Sequence, residues 1–168
     1  MKRMYNLYRI FLFLWISFVV CIWGIYLYAY ISPKIVLNSA NRIYLYDNKE
    51  ELVFESNNNN DWVSLKDISK YVRNATIISE DKSFYDHSGF DYLRIGKAMF
   101  NNIKSGTIVE GASTISQQYV KNLYLDFNQT WKRKIDEAFL TIKLELRYSK
   151  DEILEGYLNT INYGQGNY

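Results

Sequence analysis

Hydrophobic positions along this chain fall into three regimes. From Ile10 to Pro33 no Asp, Glu, Lys or Arg interrupts "IFLFLWISFVVCIWGIYLYAYI", which at about 1.5 Å rise per residue is long enough to cross the ~30 Å hydrocarbon core of a bilayer. The pattern predicts a transmembrane helix over 10–33, behind a short tail at 1–9. Between Ser39 and Glu55, "RIYLYD" and "ELVFE" alternate apolar and polar residues around a polar turn, the signature of a β-hairpin within a membrane-proximal linker at 34–64. The polar run "SNNNND", Ser56 to Asp61, reads as a loop.

Beyond it the period lengthens to that of a helix. Helices are predicted over Leu65–Ser79, Asp91–Lys104, Ser113–Tyr124, Trp131–Tyr148 and Lys150–Thr160, parted by segments rich in Gly, Ser or Asn. "NNIKSGTIVEGAS", Asn101 to Ser113, has two glycines and little periodicity, and is expected to form a loop that moves during function. The expected fold class is mainly α, with one helical domain over 65–168.

Charge orients this arrangement. Lys2, Arg3 and Arg9 precede the span and only Lys34 closely follows it, so the positive-inside bias places the N-terminus in the cytoplasm and everything after Ser32 outside. A cleaved signal peptide would have an apolar region of about 7–15 residues and a small-residue cleavage site; bulky Tyr26, Tyr28, Tyr30 and Ile31 close this one. Three of the 20 Lys and Arg lie before the span and all 18 acids after it, leaving 17 cations against 18 acids outside, a net of −1. That balance excludes a general nucleic-acid binder. Cys21, the only cysteine, lies in the span, so a packed core rather than a disulfide must hold the domain.

Three clusters could carry chemistry. In "IISEDKSFYDHSG", Ile77 to Gly89, Glu80 ends an apolar helical run. There it faces the negative pole of the helix dipole, a setting in which a carboxylate takes up a proton more readily. The plain alternative is an exposed acid beside a turn, with His87 as a scaffold residue; a lone histidine has no metal-site spacing. In "GASTISQQYVKN", Gly111 to Asn122, Ser113 or Thr114 can cap a helix and Thr114 with Gln117 has capping-box spacing. Ser113, Gln117 and Lys121 follow at i, i+4, i+8, and a helix start with free N–H groups suits a phosphate. An ordinary capped surface helix has the same spacing.

The third cluster is "WKRKIDEAFLTIKLELRYSK". Trp131, Ile135, Ala138, Phe139, Ile142 and Leu146 form an apolar stripe, with Arg133, Lys134 and Glu137 on the other side. A solvated face would explain those charges, but Leu140 and Leu144 share their sector of about 60°, so the helix is expected to be covered on both sides with the charges lining a cleft.

Taken in order, "EDKSFYDHSGFD", "GASTISQQYVKN", "RKIDE" and "RYSKDEILEGYLNTINYGQG" resemble the peptidoglycan glycosyltransferase domain, glycosyltransferase family 51, of class A penicillin-binding proteins and monofunctional transglycosylases. The resemblance runs from about Asp47 to the last residue. Ala112, Ser116 and Tyr119 stand where the family usually has glycine, threonine and an aliphatic residue, and the family's domain continues beyond the point where this chain stops, at Tyr168. The resemblance implies a lysozyme-like helical fold, at a bacterial cell membrane, that polymerises lipid II into β-1,4 glycan with release of undecaprenyl pyrophosphate.

By matching positions, the resemblance implies Glu80 as general base toward the acceptor sugar's 4-hydroxyl, and Glu137 as the second catalytic glutamate. It implies substrate-binding roles for Gln117, Lys121, Arg133 and Lys134, with Ser113 and Thr114 organising their motif, and structural roles for Asp81, Phe84, His87 and Gly89. No obligatory cofactor is implied; Mg²⁺ or Mn²⁺ assists some members. The implied partners are lipid II, the growing glycan chain and the membrane. Two rivals remain open from sequence: a cell-wall hydrolase, which also uses a glutamate on glycan, and a non-enzymatic anchor for division or elongation proteins.

Overall fold

The computed structural model describes residues 2–37, 44–47, 49, 51–55, 62–125 and 130–161. Helix α1, Lys2–Ile31, opens the chain. Within its segment Met4–Ile31 the most apolar 18-residue window has a mean hydropathy of 2.5, and the segment is long and apolar enough to cross a membrane by length and composition. Strands β1, Tyr44–Tyr46, and β2, Leu52–Glu55, pair antiparallel with Tyr44 opposite Glu55 and a register shift between Leu45 and Tyr46. The Asp47 carboxylate closes their turn by accepting from the amides of Lys49 and Glu51 at 2.8 and 2.9 Å. The loop expected at 56–61 lies outside the described residues, as does 162–168 of the fourth motif.

Five helices make the body: α2 Lys70–Glu80, α3 Tyr92–Ser105, α4 Ile115–Tyr124, α5 Trp131–Glu145 and α6 Lys150–Thr160. Helix α4 packs against both α5 and α6, and it buries Ile115, Tyr119 and Val120 completely against Leu144 of α5 and Ile153, Leu154 and Tyr157 of α6. Each such side chain contributes about 1.5–3 kcal/mol by leaving water. Local chemistry sets the helix starts: Asp91, Thr114 and Ser149 each accept from a backbone amide of the first turn. Asp91 also accepts from Ser83 Oγ at 2.5 Å, and these bonds, Ser83's first, hold its carboxyl below the usual range.

Among these five helices, two differ from their expected bounds by three residues or more. Helix α2 starts at Lys70 rather than Leu65, because the preceding turn is bound to a distant element: Trp62 Nε1 and the Leu65 amide both donate to the Glu155 carboxylate at 2.7 Å. Helix α5 ends at Glu145 rather than Tyr148, because the next residues turn to the end of α1. There the Arg147 guanidinium donates to the carbonyls of Ala29, Tyr30 and Ser32, and the Tyr148 hydroxyl to that of Ile35. A cation at a helix C-terminus opposes the negative pole of the helix dipole.

The segment expected to move is pinned where it follows α3. Asn102 Oδ1 accepts from the amides of Val109 and Glu110 at 2.8 and 3.0 Å, and its Nδ2 donates to the Glu110 carbonyl. On α5, expected to be covered on both sides, the cover of the apolar stripe is incomplete at the helix start. Trp131 and Ile135 are 86% and 67% exposed, whereas Glu137, Thr141 and Leu144 are buried, so α5 gives its charged side to the core. Its stripe instead faces α1, where Phe139 stacks on Tyr28 with ring centroids 5.5 Å apart.

Candidate active site

Glu80 is the last residue of α2 and lines an open cavity of about 840 Å³ bounded by the turn after it, by α3 and by the loop at 109–111. Two contacts hold it there. The side-chain amide of Gln118 donates to Glu80 Oε2 at 2.8 Å, and the Arg94 guanidinium donates to the Glu80 backbone carbonyl, one of those that a helix end leaves without an internal partner.

Asp81, the next residue, is completely buried. Its Oδ2 accepts from the Ile115 amide at 3.1 Å, and both its oxygens lie 3.0 Å from His87 Nε2. The Gly89 amide donates to His87 Nδ1 at 3.1 Å, so the ring proton sits on Nε2 and points at Asp81. Phe84 is buried beneath the turn, with its ring edge-on to His87. Gly89 has φ +90°, and a Cβ there would lie 2.7 Å from Thr141 Cγ2, so both backbone and space require glycine.

This arrangement corrects the expectation for the second motif. The start of α4 carries no free N–H array for a phosphate, because the carboxylate of Asp81 already occupies it. Thr114 and Gln117 are turned inward: Thr114 Oγ1 donates to the Gly89 carbonyl at 2.8 Å, Gln117 Oε1 accepts from the Thr114 amide at 3.1 Å, and Gln117 is 5% exposed. Ser113 precedes the cap and is not in the helix, so Ser113, Gln117 and Lys121 do not share one helical face. Lys121 is half-buried on α4, three residues from Gln118 and therefore beside it.

Arg133, Lys134 and Glu137 form a second group on α5. Glu137 is 2% exposed and accepts from Arg133 Nη1 at 3.0 Å and from Lys134 Nζ. These residues are not among those lining the Glu80 cavity; their helix packs on α4, which carries Gln118 and Lys121. Breaking a buried pair by removing one partner is costly, but both cations here keep access to water. Glu137→Gln is therefore expected to lower stability by only about 1–2 kcal/mol, read as a fall in thermal unfolding midpoint; an unchanged midpoint would contradict the role given to this carboxylate.

Sequence reasoning missed Gln118, Arg94, Lys97 and Tyr157. The Tyr157 hydroxyl donates to Gln118 Oε1 at 3.0 Å, and Arg94 and Lys97, one helical turn apart on α3, line the Glu80 cavity. Spacing offered one signal: Gln118, Lys121 and Asn122 sit at i, i+3 and i+4 on α4, as one polar face. Among the described residues no three His, Cys, Asp or Glu side chains gather as a set able to hold a metal ion.

The chain was compared with known proteins. The model of the transglycosylase family matches residues 47–168. Penicillin-binding protein 2D of Bacillus subtilis (strain 168) is 59% identical over 107 residues, 64% of this chain and 16% of that protein. Penicillin-binding protein 1F of the same organism is 41% identical over 137 residues, 82% of this chain and 19% of that protein. The biosynthetic peptidoglycan transglycosylase of Dechloromonas aromatica (strain RCB) is 48% identical over 105 residues, 62% of this chain and 46% of that protein. The chain thus spans under half the length of each of these relatives. The stretch matched by the family model contains Glu80, the turn beneath it and the paired cations of α5, and it makes this chain a member of the transglycosylase family.

Proposed function

We propose that this chain is the membrane-anchored part of a peptidoglycan glycosyltransferase that extends glycan by consuming lipid II. The observation that carries the reading is Glu80: a carboxylate on an open cavity, with one oxygen held by Gln118 and Oε1 left for a substrate hydroxyl. In this reading Glu80 takes the proton of the acceptor sugar's 4-hydroxyl as that oxygen attacks the anomeric carbon of the growing chain. The C–O bond to the pyrophosphate breaks on the opposite side, so an α-linked donor becomes a β-linked product in one inverting displacement, with no covalent intermediate.

Negative charge develops on the departing pyrophosphate, and fixed cations stabilise it most where water is excluded. Lys121, Arg133 and Lys134 supply them, with Glu137 fixing the last two in place. Gln117 does not belong to this set, because its amide oxygen caps α4. The fold is lysozyme-like, α1 spans the membrane with its N-terminus in the cytoplasm, and the cavity works on the outer side, at the level of a lipid-linked substrate.

The test is a polymerisation assay in detergent or vesicles with labelled lipid II. The protein at its natural length is expected to convert it to polymer and release undecaprenyl pyrophosphate. Shortening of preformed glycan without polymer formation would replace this reading with a hydrolase.

A further inference from the structure

We infer that Tyr157 is a positioning residue for Glu80, acting through the side-chain amide of Gln118; this rests on the general-base reading above. Tyr157 Oη lies 3.0 Å from Gln118 Oε1, and Gln118 Nε2 lies 2.8 Å from Glu80 Oε2. An amide oxygen only accepts and an amide nitrogen only donates. The tyrosine hydroxyl therefore donates to Oε1 while Nε2 donates to the carboxylate. The reversed amide would still bond the tyrosine, with Nε2 donating to Oη, but would set Oε1 against a carboxylate oxygen; the tyrosine holds the amide in place and the carboxylate sets which end faces it.

Burial makes the device rigid. Tyr157 is fully buried in the cluster with Ile115, Val120 and Leu154, so its hydroxyl is held by packing before any substrate arrives. A general base must present an oxygen to the proton it takes at hydrogen-bond reach. The relay from α6 through α4 to α2 thus holds the Glu80 carboxylate in place and fixes which oxygen faces the cavity.

Other charged groups act on Glu80 from the elements around it. The turn after α2 contributes Lys82, Asp86 and Asp91 along with the Asp81–His87 pair. Helix α3 contributes Arg94 and Lys97, the following loop Glu110, and α4 adds Lys121 beside Gln118. Cutting the relay leaves all of these in place, so a fall in kcat at unchanged KM reports the relay itself.

Tyr157→Phe removes one oxygen and keeps the ring that packs the core. In the full membrane-anchored protein acting on lipid II, it is expected to lower kcat about tenfold, the loss of the one hydrogen bond that holds the Gln118 amide, with KM changed less than about twofold. Gln118→Leu, which leaves Tyr157 intact, should lower kcat at least as much with the same small change in KM, and adding Tyr157→Phe to it should cost less than about twofold more. A kcat within about threefold of wild type in both single variants, or fully additive losses, would overturn the relay. A wild-type protein that makes no glycan would instead overturn the glycosyltransferase reading, and this inference with it; a wild type that polymerises while Tyr157→Phe keeps its rate overturns the relay alone.

Discussion

Glu80→Gln is expected to reduce glycan polymerisation by at least about 100-fold, the usual loss on removing a general base, while leaving the unfolding midpoint within a few degrees of wild type. The substitution keeps size and shape, and the new amide still offers an oxygen to Gln118. Glu80 is half-buried at the end of α2 and no cation of the described residues forms an ion pair with it, so little of the fold depends on its charge. Initial rates on labelled lipid II, taken beside thermal melts followed by circular dichroism, separate the two effects. A rate within about threefold of wild type would remove Glu80 as the base and favour the non-enzymatic anchor.

Gly156→Ala carries the largest stability effect. In an exposed helix interior, glycine to alanine stabilises by about 1 kcal/mol, so helix propensity alone predicts a gain. Position 156 reverses the sign. A Cβ there would stand 2.0 Å from Tyr119 Oη and 2.4 Å from its Cζ. The Tyr119 ring is completely buried and its hydroxyl donates to the Leu37 carbonyl at 2.9 Å; burial pushes that hydroxyl's pKa well up. The ring cannot retreat without breaking this bond, so overpacking and the lost hydrogen bond together should cost about 3 kcal/mol. Denaturant unfolding would show it as a lower midpoint at unchanged slope. Tyr119→Phe in the same chain removes the nearest atom and should recover part of the loss; a more stable Gly156→Ala protein would show the contact to be wrong.

How far the sequence could be read depended on how local the determining chemistry was. Helix α6 is found at its expected bounds, and α3 and α4 within two residues of theirs, because their starts are set by caps written in neighbouring residues. The start of α2 was not legible, since Glu155, some ninety residues away, ties down the turn before it. On α5 both faces carry apolar residues, and period alone does not say which meets the core and which meets α1. In the pair "QQ", adjacent residues point about 100° apart, and only the packed helix reveals that Gln117 turns to the cap and Gln118 to Glu80. Spacing at the start of α4 suited either a phosphate or an ordinary capped helix, and it could not show that Asp81, brought there by the turn after Glu80, accepts from the Ile115 amide.

The clasp of Arg147 on the last carbonyls of α1 changes how the anchor behaves mechanically. A helix leaving a bilayer on a loose tether lets its cargo tumble over a hemisphere. Three hydrogen bonds at that joint, with Phe139 stacked against Tyr28, make it a strut instead. Under the proposed function, the mouth of the Glu80 cavity would then be carried at a set height and heading, and lipid-borne substrate would meet it by sliding sideways within the leaflet.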